Sequence, residues 1–297
     1  MPAHELPRVA LVITSHDRSE YLEQAVASAR AQTWPALDIV VSDDGSTDPG
    51  TLRVLERLES EGTRVLRLPH RGVGAAVNSA LASSETPFIM RLDDDDLIEP
   101  PYVEEAVGIA EADPRIGVVY CRADLIGART GPWELPDFDI GSILIDNQIF
   151  STALFRRADW RAVGGYDETM TEGREDHDFL LRILGLGREV HRLDGTYFHY
   201  RQHDGRSLNA ITGSSTEKRA RAYATMLRNN QDLYAEHAEE FWWHVFRRLE
   251  EARDVRLRYQ HLERLRARFP RAQRALGSVR RGGEALARRA RAGRGGR

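Results

Sequence analysis

Short apolar runs alternate with amphipathic segments through the first 120 residues of the chain. Five of the runs are rich in β-branched or aromatic residues, and each has the length of a strand. Near-continuous hydrophobicity of this kind is typical of strands that are buried on both faces of a parallel sheet. The five predicted strands cover residues 9–13, 39–41, 65–68, 88–90 and 116–120.

Two of the segments between these runs have apolar residues at helical spacing. One begins at Ser19 and the other follows residues 46–48, and both starts carry the polar residues that cap helices. Alternation of strand and helix in this order predicts a doubly wound α/β sheet, whose ligands bind beyond the carboxyl ends of the strands. The apolar positions are Leu22, Val26 and Ala29 in the first segment and Leu52, Leu55 and Leu58 in the second.

The pattern changes further along the chain. Residues 122–146 are interrupted by glycine and proline, which predicts an irregular excursion, and helical periodicity returns at residues 179–184. Strand signals end near residue 215, and residues 216–269 are rich in helix-forming residues. We therefore expect an α/β domain of residues 1–215 and a C-terminal helical subdomain of residues 216–297, helical to about residue 290.

Large apolar side chains are dense in the predicted C-terminal helices. A solvated helix does not tolerate this density, so we expect these side chains to be buried against the α/β domain or against a second subunit. The second arrangement would make a homodimer. The side chains are Leu227, Leu233, Phe241, Trp242, Phe246 and Leu249.

Composition excludes several classes of protein. Of the 297 residues, 41% are hydrophobic and 30% are charged, which excludes global disorder. The single cysteine, Cys121, excludes an internal disulfide framework and a zinc site built from several cysteines. No apolar stretch approaches the roughly 20 residues of a membrane span, and no signal peptide precedes residue 9. A soluble, cytoplasmic protein is expected.

The net charge of −4 is unevenly distributed. Residues 216–297 hold 21 basic and 10 acidic side chains, whereas residues 1–215 hold 21 basic and 36 acidic ones. The arginine-rich tail predicts peripheral contact with anionic membrane lipids, with a partner or with the chain's own acidic domain. A solvated basic helix is the alternative. Aromatic residues are scarce after Phe269, which argues against stacking on nucleic-acid bases.

Polar residues follow the first, second and fourth predicted strands, at positions 14–17, 42–46 and 91–96. The last group contains four consecutive aspartates, which repel one another unless a cation lies between them. Hard oxygen ligands suit Mg²⁺ or Mn²⁺. A solvated acidic loop is the alternative, but the position at the end of a buried strand favours a metal site. A calcium loop fits poorly because Ile98 stands where its glycine belongs.

The ordered motifs resemble family 2 glycosyltransferases of the GT-A fold over residues 7–208. The resemblance implies a mixed, mostly parallel, Rossmann-like sheet and inverting transfer from a nucleotide-diphosphate sugar, especially a UDP-sugar, to an acceptor hydroxyl that the motifs do not identify. The motifs are VALVITSHDR at 9–18, VSDDGSTD at 41–48, LDDDD at 92–96, GGYDE at 164–168, EDHDFLLR at 175–182 and YRQHDGRS at 200–207. The family's Asn-Gly-Ala-Arg-Asn motif is replaced by HRGVGAAVN at 70–78.

The resemblance also implies a set of donor-binding residues. Some of them have simpler interpretations: an Asx turn at residues 43–45, a surface arginine at Arg71 and an ordinary turn at residues 164–165. The implied nucleotide-sugar ligands are Thr14, His16, Arg18, Asp43, Asp44, Arg71, Asp93, Asp94 and Gly165.

The family's DxD motif matches Asp93-x-Asp95, so the resemblance implies that Asp95 holds Mn²⁺ or Mg²⁺ together with His203. His199 remains an alternative to His203, and Asp96 is expected to cap the helix that starts near Glu99.

The resemblance makes Asp176 the general base and gives Glu175 a positioning role. Alternatively, the two carboxylates complement the dipole at a helix start. Asp178 faces another side of this helix and is the weaker candidate for the base.

Missing motifs narrow the function. The Gln-x-x-Arg-Trp motif of processive synthases is absent, which favours transfer of a single sugar. A sugar-phosphate nucleotidylyltransferase would need a basic, glycine-rich loop after the first strand, where residues 14–17 read TSHD. A non-catalytic binder of anionic surfaces or nucleic acid, acting through the tail, is the third alternative.

Overall fold

The computed structural model describes residues 6–171, 173–203 and 215–268. Its strands form one mixed sheet with the order β3-β2-β1-β4-β8-β6-β9-β5, and β7 pairs with β6. The strands are β1 (Val9–Ser15), β2 (Leu37–Asp43), β3 (Arg64–Arg67), β4 (Phe88–Asp93), β5 (Leu97–Ile98), β6 (Ile116–Gly127), β7 (Gly131–Trp133), β8 (Leu154–Arg156) and β9 (Glu189–Gln202).

Helices pack against this sheet, and further helices follow its last strand in the sequence. Every residue of β1 is buried, as its apolar run predicts, and Leu22 and Leu55 bury the inner faces of the first two helices. The helices are α1 (Ser19–Arg30), α2 (Pro49–Ser60), α3 (Val73–Ala82), α4 (Tyr102–Ala112), α5 (Ile140–Ile143), α6 (Arg157–Ala162), α7 (Glu175–Leu184), α8 (Thr216–Asn229), α9 (Gln231–Glu236) and α10 (Ala238–Arg268).

Register brings the predicted polar turns together at one edge. Strand β1 is parallel to β2 and β4, and Thr14 stands opposite both Ser42 and Asp93. The carboxyl ends of the three strands therefore meet, as the α/β interpretation predicts. Strand β8 runs antiparallel between β4 and β6, and β6 is parallel to β9. The predicted mixed, mostly parallel α/β sheet followed by a helical region is confirmed.

Two regions differ from the expectation. Strand β6 extends to Gly127 instead of ending at residue 120, and the predicted irregular excursion contains β7 and α5. The 14-residue strand β9 has no counterpart in the pattern of apolar runs. It forms by pairing with β6 over most of its length and supplies the buried side chains Leu193 and Phe198 to the core.

The chain divides into two compact units, with the boundary after Phe241. In the first unit Met226 and Leu233 are buried and Phe241 packs against the core. Leu227, Trp242, Phe246 and Leu249 are 47–60% exposed. Their burial against a second subunit remains a prediction. The arginine-rich stretch from residue 269 lies outside the described residues.

Among the described helices, none is both long enough and apolar enough to cross a membrane.

Candidate active site

The aspartate run forms a largely buried turn at the end of β4. Asp94, Asp95 and Asp96 are 6%, 9% and 1% exposed, so the solvated acidic loop is excluded. Burial, together with the charge of the neighbouring Asp95, raises the pKa of Asp94 to about 7. Oδ2 of Asp94 is buried without a hydrogen-bond partner. A buried carboxylate oxygen without a partner, with other carboxylates beside it, is an arrangement that a cation stabilises.

Three cationic or polar side chains surround this turn. The Arg18 guanidinium contacts Oδ2 of Asp95, and Nε2 of His203 lies 2.7 Å from the same oxygen. The Thr14 hydroxyl donates to Oδ1 of Asp93 over 3.2 Å. The carboxylate oxygens of Asp95 and the imidazole of His203 are donors that suit Mn²⁺ or Mg²⁺, so the residues present fit the predicted metal.

The alternative histidine has other partners. Nδ1 of His199 lies 2.5 Å from Oδ1 of Asp124, and its Nε2 lies 2.8 Å from Oε1 of Glu99. These two carboxylates hold the ring of His199 between β6 and the residue that follows β5. Of the two histidines, the structure brings only His203 to Asp95.

Asp96 has a different role from the predicted helix cap. Its Oδ1 accepts a hydrogen bond of 2.8 Å from the backbone N–H of Arg201, so it ties the aspartate turn to β9. Helix α4 begins at Tyr102, and no side-chain oxygen caps it. The expected cap was wrong because pairing between β5 and β9 places Asp96 against strand β9.

Arg91 joins the aspartate turn to helix α7. Its Nη2 donates to Oδ1 of Asp93 over 2.7 Å, and its Nη1 donates to Oε1 of Glu175 over 3.1 Å. Burial disfavours the charged form of Arg91, but the negative charges of Asp93 and Glu175 favour it more strongly. These two carboxylates hold the pKa of Arg91 well above its usual value. Sequence reasoning assigned no role to this residue. The available signal was a lone arginine inside the apolar run of β4.

The Glu-Asp pair occupies the first turn of α7, as predicted. Glu175 is buried, and burial raises its pKa to about 7 despite the opposing charge of Arg91. Asp176 is partly exposed and lines a small apolar cavity. Nδ2 of Asn147 donates to Oδ2 of Asp176 over 3.1 Å, and Oδ1 of Asn147 accepts from the Ile149 N–H, which fixes the amide. Sequence reasoning also missed Asn147.

Asp178 is fully buried, and both of its carboxylate oxygens accept hydrogen bonds. Nε of Arg182 donates to its Oδ2 over 2.9 Å, and the side-chain amides of Asn229 and Asn230 donate to its Oδ1. These contacts join α7 to α8 and the residue that follows it. Asp178 therefore stabilises the packing of the helices, which leaves Asp176 as the accessible carboxylate.

Asp44 organises a second group of side chains after β2. Its Oδ1 accepts from the Arg71 N–H over 2.8 Å and its Oδ2 from the Gly72 N–H over 2.9 Å. Nδ1 of His16 and Nδ1 of His70 each lie 3.0 Å from its carbonyl oxygen. The guanidinium of Arg71 extends away from the group and contacts Glu168.

Asp43 and Gly165 have local structural roles. Oδ1 of Asp43 accepts from the Ser46 N–H, so the Asx turn is present, although Asp48 caps α2. Gly165 has a φ of +78°, and a Cβ there would lie 2.6 Å from Oδ1 of Asn78. Backbone conformation and close packing together require glycine at this position.

The structure thus assembles three adjoining groups of side chains. Thr14, Arg18, Asp93, Asp95 and His203 surround the aspartate turn. His16 and the backbone N–H of Arg71 contact Asp44, and Glu175 is joined to Asp93 through Arg91.

Comparison with known proteins identifies a family and several relatives. The family model described as "Glycosyl transferase family 2" matches residues 10–170. Chondroitin synthase from Pasteurella multocida (strain Pm70) is 25% identical over 256 residues, which are 84% of this chain and 26% of the relative. This chain spans about a quarter of the length of the first relatives it matches.

Solved structures share the fold. TarS 1–349 of S. aureus in complex with UDP-GlcNAc has a TM-score of 0.58 and 20% identity, with coverage of 77% of this chain and 72% of the 1–349 chain. The mannosyltransferase PcManGT from Pyrobaculum calidifontis, in complex with GDP-Man and Mn²⁺, has a TM-score of 0.54 and 17% identity, with coverage of 80% and 76%. Because the family model matches more than half of this chain, the chain belongs to glycosyltransferase family 2.

Proposed function

We propose that this glycosyltransferase moves a single sugar from a UDP-sugar to an acceptor hydroxyl, with inversion at the anomeric carbon and with help from Mn²⁺ or Mg²⁺. The observation that carries the proposal is the bridge that Arg91 makes between Asp93 and Glu175. It joins the candidate metal and diphosphate residues to the candidate base across one buried side chain. If the aspartate run were a solvated loop and the Glu-Asp pair only began a helix, no buried side chain would connect them.

The aspartate turn supplies the diphosphate end of the donor site. Asp95 and His203 would hold the metal, with Asp93 beside them. When bound, the metal neutralises charge that develops on the leaving diphosphate. Arg18 contacts Asp95 at present, and its guanidinium is placed to pair with a phosphate oxygen once the cation occupies the carboxylate. The structural neighbour PcManGT is in complex with GDP-Man and Mn²⁺, which supports a metal-assisted donor site in this chain.

The group around Asp44 supplies the nucleoside end. The backbone N–H groups of Arg71 and Gly72 hold the Asp44 carboxylate, and each of its oxygens keeps a further lone pair. An oxygen held in this way can accept the imide N–H of uracil in a charge-assisted hydrogen bond. The UDP-GlcNAc complex of TarS supports a uridine donor.

Asp176 is the proposed general base. It takes the proton from the acceptor hydroxyl as that oxygen attacks the anomeric carbon, and the electrons of the breaking sugar–phosphate bond leave with the diphosphate. Attack on the face opposite the leaving group turns an α-linked donor into a β-linked product. Partial exposure of Asp176 lets an acceptor reach it, and Asn147 fixes the orientation of its carboxylate.

An assay of released products tests the proposal without knowledge of the acceptor. The full chain is incubated with UDP-, GDP- and dTDP-sugars and Mn²⁺, with water as the acceptor. Release of UDP from a UDP-sugar, lost in excess EDTA, is expected. Release of pyrophosphate when a sugar phosphate and UTP are supplied would identify a nucleotidylyltransferase instead. Full activity in EDTA would contradict the metal requirement.

A further inference from the structure

Asp17, in the short turn between β1 and α1, has a backbone conformation that few residues with a side chain adopt. Its φ is +49°, and among the described residues only Asp17 and Arg174 combine a positive φ with a side chain. Aspartate tolerates the left-handed region better than most residues, but the conformation still costs energy. Strained backbone of this kind persists only where the surrounding structure holds it, and it is concentrated at functional sites.

Hydrogen bonds to the turn after β2 hold Asp17 in this conformation. Its Oδ1 accepts from the backbone N–H groups of Thr47 and Asp48 over 2.6 Å and 2.7 Å. In the opposite direction, the N–H of Asp17 donates to the Ser46 hydroxyl over 2.9 Å. The N–H groups of Asp48 and Thr47 lower the pKa of the Asp17 carboxyl, so the carboxylate is charged at neutral pH. These contacts between Asp17 and residues 46–48 form the Asp17 clasp.

The two neighbours of Asp17 contact groups on opposite sides of β1. Strand β1 lies between β2 and β4 in the sheet. His16 is directed toward β2, where its Nδ1 lies 3.0 Å from the carbonyl oxygen of Asp44. Arg18 is directed toward β4, where its guanidinium contacts Oδ2 of Asp95. In an extended segment, side chains two positions apart point to the same side, so this divergence depends on the bend at Asp17.

We propose that Asp17 is a positioning residue of the donor site, which acts through His16 and Arg18 and does not itself contact the donor. Its carboxylate is occupied by the N–H groups of residues 47 and 48. The Asp17 clasp fixes the nucleoside end of the site, at Asp44, relative to the diphosphate end, at Asp95. A donor that bridges both ends binds tightly only when they are held at the right separation. This inference rests on the proposed function, which defines the two ends.

Three substitutions of Asp17 separate its backbone conformation from its hydrogen bonds. UDP affinity of the full chain is measured calorimetrically in Mn²⁺. Asp17→Ala removes both features, and we expect UDP affinity to fall by about tenfold or more. Asp17→Gly permits the positive φ but loses the carboxylate, so its loss of affinity should be intermediate. Asp17→Asn keeps an oxygen acceptor and the tolerance of positive φ, so its affinity should stay within about threefold of the wild type.

Two further variants extend the comparison. Ser46→Ala removes the acceptor of the Asp17 N–H and leaves Asp17 in place, so it should weaken UDP affinity in the same direction, by about twofold to fivefold. Asp38→Ala is the control, because it removes a carboxylate at the amino end of β2 that pairs with Arg8, and it should leave UDP affinity unchanged. The side chain of Asp17 is 34% exposed, so circular dichroism should show its variants folded. Wild-type affinity in both Asp17→Ala and Ser46→Ala would overturn the proposal.

Hydrogen–deuterium exchange tests the clasp without any ligand. The N–H groups of Thr47 and Asp48 should exchange about tenfold faster or more in Asp17→Ala than in the wild type, and unchanged exchange would overturn the clasp. Faster exchange with wild-type UDP affinity would show a purely structural role and overturn the positioning role. An Asp17→Asn variant as weak as Asp17→Ala would also overturn it, because the charge of Asp17 would then act on the donor directly. A wild type that binds no UDP would contradict the proposed function, whereas the exchange result would still decide the clasp.

Discussion

Asp176 and Asp178 stand two residues apart on α7 in different surroundings. Asp176 is partly exposed and receives one hydrogen bond from Asn147, whereas Asp178 is fully buried among three donors. For Asp176→Asn we expect kcat to fall about 10²–10⁴-fold with donor affinity nearly unchanged, because the amide keeps the shape but loses the basicity. Turnover and UDP-sugar affinity of the purified variant check this.

Asp178→Asn is the matched variant with the opposite expectation. It removes the buried charge that pairs with Arg182, so unfolding free energy should fall by about 3 kcal/mol while kcat of the folded enzyme changes only a few-fold. Chemical denaturation and turnover are measured on both variants. Normal turnover in Asp176→Asn together with severe loss in Asp178→Asn would move the base to Asp178.

Glu175 predicts a pH dependence of stability. Its pKa is 4.5 in an ordinary setting and about 7 in the folded protein, chiefly because of burial. The folded state therefore binds this proton more tightly than the unfolded state. The resulting contribution to the free energy of unfolding is fully present below about pH 4.5 and is lost as the pH rises through 7. Between pH 5 and 8, wild-type unfolding free energy should fall about 2–3 kcal/mol more than that of Glu175→Gln. Unfolding free energies from denaturant titrations that depend on pH in the same way for the two proteins would contradict this.

The turn between α6 and α7 contains a matched pair of glycines. Gly164 and Gly165 share a φ of +78°, but only at Gly165 would a Cβ meet a close neighbour, 2.6 Å away at Asn78. Gly164→Ala should lower the free energy of unfolding by about 1 kcal/mol through backbone strain alone. Gly165→Ala should lower it by about 3 kcal/mol, because the clash with Asn78 adds to the strain. Denaturant titration of both variants measures this. Equal losses would mean that Asn78 and Trp160 move aside without cost.

Strands that bury a continuous apolar run could be predicted from the sequence. A strand that forms mainly because it pairs with a distant strand could not. β1 and β4 are apolar and central to the sheet, so their patterns indicate them directly. β9 contains a glycine and many polar residues, and its existence depends on pairing with a distant strand, β6. Local patterns carry no information about such a partner. The same pairing extends β6 past residue 120 and places Asp96 against β9.

Residue types at strand ends predicted the candidate site, but the connections between them came from the fold. The aspartate turn, the Glu-Asp pair and His203 are visible as ordered motifs. Arg91 and Asn147 are single residues without a motif, and each matters through a contact across at least 29 positions of sequence. No one-dimensional pattern reveals such contacts.

Helix α10 leaves a row of large apolar side chains exposed in the second unit. Trp242, Phe246 and Leu249 are 53–60% exposed and spaced for one helix face. The helix has five acidic and three basic residues over 238–254, then five arginines and one glutamate over 255–268. Antiparallel contact with the same helix of a second copy would bury the apolar face and pair opposite charges. We therefore predict a homodimer.

Light scattering during size-exclusion chromatography tests this prediction. The wild type should have twice the chain mass, and replacement of Trp242 and Phe246 by glutamine should give a folded monomer. Glu251→Gln, an exposed change on the opposite side of the same helix, is the control. A wild type that is monomeric at high micromolar concentration would contradict the dimer.

The most direct test of the whole account is the metal dependence of UDP binding, since it requires neither acceptor nor sugar. The affinity of the full chain for UDP is measured calorimetrically in Mn²⁺ and in EDTA, for the wild type and for Asp95→Ala. We predict at least tenfold tighter binding in Mn²⁺ for the wild type and loss of that gain in Asp95→Ala. UDP affinity that is the same in Mn²⁺ and EDTA, or a gain that survives in Asp95→Ala, would contradict the account.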